Sequence, residues 1–302
     1  MQKIVPYLWY DKEAVEAAGF YASVFPSSKV KFTSKMRGTP SGEVEITGFS
    51  IMGYDFQAIS AGPYFKFNPS ISVMVNFDPS QDKDALKRID EVWEKLLPGG
   101  TVMMPLDKYP FSERYGWIQD KYGLSWQLIY TNPEGEKRPF IIPAMLFVTP
   151  GCDKAEEATD FYISIFKDSK RGTLSRYPAG MAPNKEGSVA FTDFKLEGQW
   201  FVAMDGSSEM HKFAFNEAVS LMVMCKDQAE IDYYWEKLSA FPEAEQCGWL
   251  KDKYGVSWQI VPAEMDEMMR KGTPEQADRV TKAFLPMKKM VISELKKAYL
   301  GK

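Results

Sequence analysis

The sequence predicts an α+β fold: two tandem domains, each of two βαβββ units, followed by a C-terminal helix. Three observations carry this. The motif Gly-Trp-x-x-Asp-Lys-Tyr-Gly-x-Ser-Trp-Gln stands at 116–127 and again at 248–259, an identity that chance does not readily produce. Three landmarks recur in the same order: Ile4-Val5-Pro6 with Ile141-Ile142-Pro143, Phe20-Tyr21 with Phe161-Tyr162, and Phe67-Asn68 with Phe215-Asn216. Within each half, strand-like and helix-like periodicities then alternate twice in one order. The duplication sets domains at 2–131 and 140–262 of the 302 residues, in keeping with roughly 150 residues per domain.

Residues 4–10 read as a strand, and 12–25 as a helix with Val15, Ala18, Tyr21, Ala22 and Phe25 on its apolar face. Strands follow at 29–36, 43–52 and 54–61, the last two joined by a turn at 53–55. The order repeats with strand 71–77, helix 84–97 and strands near 101–105, 116–120 and 125–130. Helices near 154–166 and 228–241 mark the same units in the second half. Each unit leaves one sheet face under its helix and the other concave, so two units of a domain meeting edge to edge are expected to enclose a cleft. Between the halves, 132–139 is polar with two prolines and a glycine, an exposed linker. In the tail, 263–302, Thr273 suits a helix cap, Pro274 the first helical position and Gln276 the third. Val280, Phe284, Met287, Val291 and Leu295 then follow at helical spacing, a stripe that needs something to cover.

Composition narrows the function. Hydrophobic residues make up 45% and charged residues 26%, a globular balance. With 37 Lys+Arg against 41 Asp+Glu there is no basic excess to neutralise a phosphate backbone, so nucleic acid is not an expected partner. No run approaches the roughly 18 to 20 apolar residues of a membrane span, and the N-terminus lacks a signal peptide's apolar core. Cys152, Cys225 and Cys247 are odd in number and far apart, which builds neither a disulfide framework nor a thiolate zinc site. The expectation is a cytoplasmic protein, with a homo-oligomer possible.

The repeated motif resembles that of the PhnB-like branch of the vicinal oxygen chelate (glyoxalase/bleomycin resistance/dioxygenase) superfamily, often labelled a demethylubiquinone methyltransferase family. The resemblance covers 2–262 and makes both halves glyoxalase-like domains; the tail from Pro274 to Val280, leading to Met287-Lys288-Lys289, is similar as well. It implies four cleft positions that in metalloenzymes of the superfamily hold His, Glu or Gln. Laid on this chain they fall on Pro6, Gln57, Ser70 and Gln127 in the first half, and on Pro143, Val202, Ala218 and Gln259 in the second. Neutral amides are poor substitutes for imidazole, carboxylate or thiolate at a divalent metal, so no metal and no cofactor is expected. The single histidine, His211, falls in a loop and reads as an exposed residue with an ordinary titration. No strand-then-glycine-rich turn for a methyl donor's adenosine is visible.

The candidates for ligand contact are therefore Gln57, Ser70, Gln127 and Gln259, whose amides and hydroxyl can donate and accept, with Trp117 as an aromatic wall. Arg114, read in a loop, offers a planar fork to an anion, against an ion pair with Glu113. Strand alternation places Gln127 on the cleft face and Trp126 beneath a helix, with Gln259 and Trp258 alike. If Pro6 faces the cleft, Leu8 goes with it, and Tyr7 and Trp9 turn to the helix. Because Val202 and Ala218 stand where the first half has Gln57 and Ser70, the ligand site is expected in the first domain, the alternative being a duplicated dimer joined into one chain with two unequal clefts. The resulting reading is a metal-independent protein that binds a small apolar or aromatic molecule in that cleft. The alternative is a divergent enzyme of the superfamily, a lyase, dioxygenase or the transferase of the label.

Overall fold

The computed structural model describes residues 2–132, 136–148 and 152–302, so part of the linker lies outside the described residues. The first unit is β1 (Ile4–Tyr10), α1 (Ala14–Val24), β2 (Lys29–Thr39), β3 (Gly42–Ile51) and β4 (Tyr54–Ser60). The second is β5 (Ile71–Phe77), α2 (Ala85–Leu96), β6 (Thr101–Tyr109), β7 (Ser112–Gln119) and β8 (Ser125–Tyr130). The third is β9 (Ile141–Phe147), α3 (Ala155–Ile165), β10 (Lys170–Arg176), β11 (Val189–Leu196) and β12 (Gln199–Asp205). The fourth is β13 (Val219–Cys225), α4 (Gln228–Leu238), β14 (Trp249–Lys251) and β15 (Ser257–Pro262). Where the others have the first strand of a long hairpin, this last unit has only a short 3-10 turn at Pro242–Ala244.

The units pair across the halves rather than within them. One sheet has seven strands in the order β14-β15-β13-β1-β4-β3-β2, the other eight in the order β10-β11-β12-β9-β5-β8-β7-β6. The first unit therefore joins the fourth, and the second joins the third. The seams are antiparallel, β1 on β13 with Pro6 opposite Leu221, and β5 on β9 with Val73 opposite Pro143. This corrects the expectation of a cleft enclosed by two units of one half. The recurring Phe-Asn landmark helps to lock the exchange: Asn68 Nδ2 donates to the Ala214 carbonyl at 2.9 Å, and Asn216 Nδ2 to the Lys66 carbonyl at 2.8 Å.

Each half is held together instead through its helices. One continuous core contains the helix-facing sides of both sheets. Trp126 of β8 packs on Tyr21 of α1 at 5.1 Å between ring centres, and Trp258 of β15 on Tyr162 of α3 at 5.5 Å. Both indoles are fully buried beneath a helix, as strand alternation predicts. The motif aspartates close the adjoining turns: Asp120 accepts from Trp126 Nε1 and Asp252 from Trp258 Nε1, each at 2.8 Å. The helical arrangement shifts one expectation in α1, whose buried side chains are Ala14, Ala17, Ala18, Tyr21 and Val24, while Val15 is exposed.

The tail forms three helices, not one: α5 (Ala263–Lys271), α6 (Pro274–Phe284) and α7 (Ile292–Leu300). Pro286 explains the break, since proline lacks the N–H that a continuing helix needs and clashes with the preceding turn. The expected start of α6 holds as a full capping box: Thr273 Oγ1 accepts from the Gln276 N–H and the Gln276 side chain accepts from the Thr273 N–H. Among the described residues no helix is long and apolar enough to cross a membrane.

Candidate functional site

The concave face of the seven-stranded sheet holds a cavity of about 610 Å³. Its floor comes from four strands at the seam: Tyr7 and Trp9 of β1, Gln57 and Ile59 of β4, Met222 and Met224 of β13, and Gln259 and Val261 of β15. Phe32 and Met36 of β2 wall one side. The tail roofs it, with Met265 and Met269 from α5, Phe284 at the end of α6, and Met290. Of the tail's predicted apolar stripe only Phe284 reaches the cavity; Val280 and Leu295 are buried in the common core, with Met287 packed against it. Most of these side chains are aromatic or thioether, and methionine's flexible chain adapts its packing to differently shaped partners.

The face of β1 is the reverse of the one expected. Ile4, Leu8 and Tyr10 lie in the common core with the helices, whereas Val5 and Tyr7 pack on the cavity side with Met222 and Met224. Pro6 shares the helix-facing side and leaves the cavity position to Tyr7. Both faces of this strand are buried, so alternation fixes the period but not which set faces which layer. Among the aromatic residues, Tyr7, Trp9 and Trp249 line the cavity, while Phe56, Phe147 and Phe201 belong to the core under the helices.

Of the six predicted contact residues, the structure brings Gln57 and Gln259 into the cavity, one from each half. Gln127 of β8 and Trp117 and Arg114 of β7 belong to the eight-stranded sheet and Ser70 lies in the turn just before β5, with none of the four on the cavity wall. Gln127 accepts from the Tyr115 hydroxyl at 2.9 Å, Trp117 Nε1 donates to Ser125 Oγ at 2.7 Å, and Ser70 N–H donates to Asn68 Oδ1 at 2.8 Å. Arg114 pairs with Asp90 of α2, Nε to Oδ1 at 2.8 Å, rather than with Glu113. The site is thus not confined to the first domain but assembled from both halves.

Charge is held at the cavity margin, where Glu243 is exposed and the other charged side chains are paired. Arg270 meets Asp266 at 3.0 Å and lies over the Phe32 ring, and Lys251 meets Glu217 at 2.7 Å. Burial raises the Asp266 carboxyl's pKa. At the floor, Tyr7 stands beside Gln57 across β1 and β4, and Met222 beside Gln259 across β13 and β15. This neutral set does not fit a divalent ion, which needs carboxylate, imidazole or thiolate donors. Among the described residues no three His, Cys, Asp or Glu side chains come together.

The concave face of the eight-stranded sheet is occupied differently. The Arg138 guanidinium lies 3.6 Å from the centre of the Trp200 ring and its Nε reaches Asp193 at 2.6 Å. His211 sits 5.8 Å from Trp117 and 5.3 Å from Phe213, ring centre to ring centre. It is half-buried rather than exposed, and burial lowers its pKa.

Comparison with known proteins places these features. The family model described as 3-demethylubiquinone-9 3-methyltransferase matches residues 2–129 and again 139–261. A putative 3-demethylubiquinone-9 3-methyltransferase, the PhnB protein from Bacillus cereus, is 33% identical over 43% of this chain and 100% of its own, with a TM-score of 0.38. Glyoxalase I from Zea mays is 12% identical over 88% of this chain and 96% of its own, with a TM-score of 0.53, a likeness of fold. The fosfomycin resistance protein FosX from Listeria monocytogenes is 12% identical over 42% of this chain and 91% of its own, with a TM-score of 0.31. No curated protein matches.

Proposed function

From the premise that the chain belongs to the PhnB-like 3-demethylubiquinone-9 3-methyltransferase family of the vicinal oxygen chelate superfamily, in tandem copy, we propose that it binds one small apolar, ring-bearing molecule without a metal. The observation that carries this reading is the cavity itself: about 610 Å³, walled by aromatic and methionine side chains, with neutral side chains on its floor. Cavities of a few hundred Å³ with apolar walls and a few convergent polar groups suit small-molecule ligands. The floor offers no carboxylate, imidazole or ammonium to act as acid or base, so binding is better supported than turnover.

Titration with the neutral probe N-phenyl-1-naphthylamine tests this. Trp9 and Trp249 lie in the cavity wall, so saturable quenching of tryptophan emission at one probe per chain is expected. Met222→Trp, which fills the floor, removes that binding, whereas Trp117→Phe on the other sheet preserves it. Elemental analysis after exposure to Mn, Fe, Co, Ni and Zn is expected to find no stoichiometric metal. A stoichiometric metal, or a probe that ignores Met222→Trp, overturns the proposal.

A further inference from the structure

We infer that the cavity selects an uncharged ring compound by an oxygen acceptor such as a ketone, held by the Tyr7 hydroxyl and the Gln57 amide; this deepens the binding reading above and rests on it. The argument begins with a contrast between the two concave faces. Buried polar side chains almost always find hydrogen-bond partners within the protein or in bound molecules. On the eight-stranded sheet they find them in each other: Trp117 Nε1 donates to Ser125 Oγ at 2.7 Å, Ser125 meets Ser72 at 2.9 Å, and Tyr115 donates to Gln127 at 2.9 Å.

On the seven-stranded sheet the corresponding set is open. Trp249, the repeat of Trp117, has no partner for its indole N–H among the described residues, and neither the Tyr7 hydroxyl nor the Gln57 amide has one. Gln259 uses its Nε2 on Ser220 Oγ at 2.9 Å and leaves its carbonyl oxygen. These atoms are not sealed into the protein, because among the described residues only the Thr281 hydroxyl is both fully enclosed and unpaired. Tyr7, although only 7% exposed, therefore has its hydroxyl on cavity space.

The three open groups are close together. Tyr7 and Gln57 are direct neighbours in the parallel register of β1 and β4, and the Trp249 ring stands edge-on to Tyr7 at 6.1 Å. An indole N–H only donates, a phenol donates one proton, and an amide donates two. Beside the open carbonyl oxygens of Gln57 and Gln259, the indole N–H, the phenol proton and the Gln57 amide N–H groups are donors that the protein leaves unmet, and a ligand acceptor atom satisfies them. Burial raises the Tyr7 pKa and keeps that hydroxyl protonated at neutral pH. An anion is a poorer match, since the one arginine lining the cavity is already paired with Asp266.

Three naphthalenes of similar shape test this: 2-acetylnaphthalene, 2-isopropylnaphthalene and 2-naphthoate, each titrated against tryptophan emission. The ratio of ketone to hydrocarbon affinity, compared between wild type and variant, cancels their different hydrophobicities. Tyr7→Phe is expected to lower that ratio about five- to tenfold, the effect of one hydrogen bond of ordinary net strength. Gln57→Leu lowers it similarly. Tyr7→Phe removes a hydroxyl that no protein group uses, and an unchanged thermal melt verifies its fold. A ratio that stays constant in both variants while the hydrocarbon still binds overturns this inference and leaves the cavity reading intact. Tighter binding of the naphthoate than of the ketone also overturns it. Failure of all three naphthalenes to bind wild type refutes the cavity reading, and this inference with it.

Discussion

Replacing Asp252 by asparagine probes the repeated motif at its most buried ionisable group. The carboxyl accepts from Trp258 Nε1 at 2.8 Å, the Tyr162 hydroxyl at 2.7 Å, and the N–H groups of Tyr254 and Val256 at 2.9 and 3.1 Å. Those donors favour the charged form, yet complete burial outweighs them and pushes the pKa from an ordinary 3.8 up to about 6. The folded chain thus holds this proton to a higher pH than the unfolded chain does. Stability from that proton is fully present below about pH 4 and is lost as pH rises through about 6, a change of about 3 kcal/mol. Urea unfolding of wild type and Asp252→Asn at intervals from pH 4 to 7 reads it. Asparagine keeps an oxygen for the two backbone donors and does not titrate, so wild type is expected to lose about 2 kcal/mol more than the variant over that range. Parallel curves, or a wild type that gains on the variant as pH rises, refute the claim that burial outweighs the four donors.

Three further outcomes are expected. Thr273→Ala removes half of the α6 capping box and costs about 1 kcal/mol in denaturant stability; no loss means that the roof helix does not depend on its cap. Gly48 lies opposite Phe32 between β3 and β2, and a Cβ there falls within the Phe32 ring. Gly48→Ala therefore drives that ring from its place in the cavity wall at about 1 to 3 kcal/mol, and probe affinity falls severalfold; unchanged affinity places the probe elsewhere. Cys247 lines the cavity, with its thiol 3.0 Å from the Leu285 carbonyl. Saturating probe is expected to slow its alkylation by N-ethylmaleimide, read by mass spectrometry, while Cys152, in a turn packed against the apolar cluster of the other sheet, reacts at an unchanged rate. Equal slowing of both cysteines indicates a general tightening and not occupancy.

The features legible in the sequence were those fixed by local spacing. Trp126 and Trp258 lie under helices because alternation from Gln127 and Gln259 leaves them no other face, and Thr273 caps because three residues later Gln276 answers it. Pairing partners were not local. The free edge of β1 meets β13 rather than β5, and all three strands are buried along almost their whole length, so no polar edge marks the choice. The same double burial hid the orientation of Tyr7. Gln57 and Gln259 were found as separate candidates in separate halves; only the exchange of units puts them in one cavity. The tail's role as a roof was not legible because Met265 and Met269, on the short α5, lie outside the apolar stripe that the spacing of residues 280–295 marks.

Why one concave face is open and the other filled follows from a missing strand. In the first half, β7 is flanked by β8 on one side, with Trp117 opposite Gln127, and by β6 on the other, with Tyr115 opposite Asp107. In the second half, Trp249 stands opposite Gln259 in the same register, but β14 is the last strand of its sheet. The β6 counterpart is reduced to the turn at Pro242–Ala244, which leaves backbone donors at a bare edge. The tail supplies their acceptors: Cys247 N–H donates to the Met287 carbonyl at 2.6 Å and Gly248 N–H to the Lys288 carbonyl at 2.8 Å. Filling that edge is what carries α5 and α6 across the concave face, so the strand's loss and the roof are one structural change. The same change places Cys247 where the first half has Tyr115, and with it goes the hydroxyl that occupies Gln127. Two identical copies meeting about a twofold axis must change both clefts together. Tandem fusion removes that constraint, and the strand is missing from one unit only.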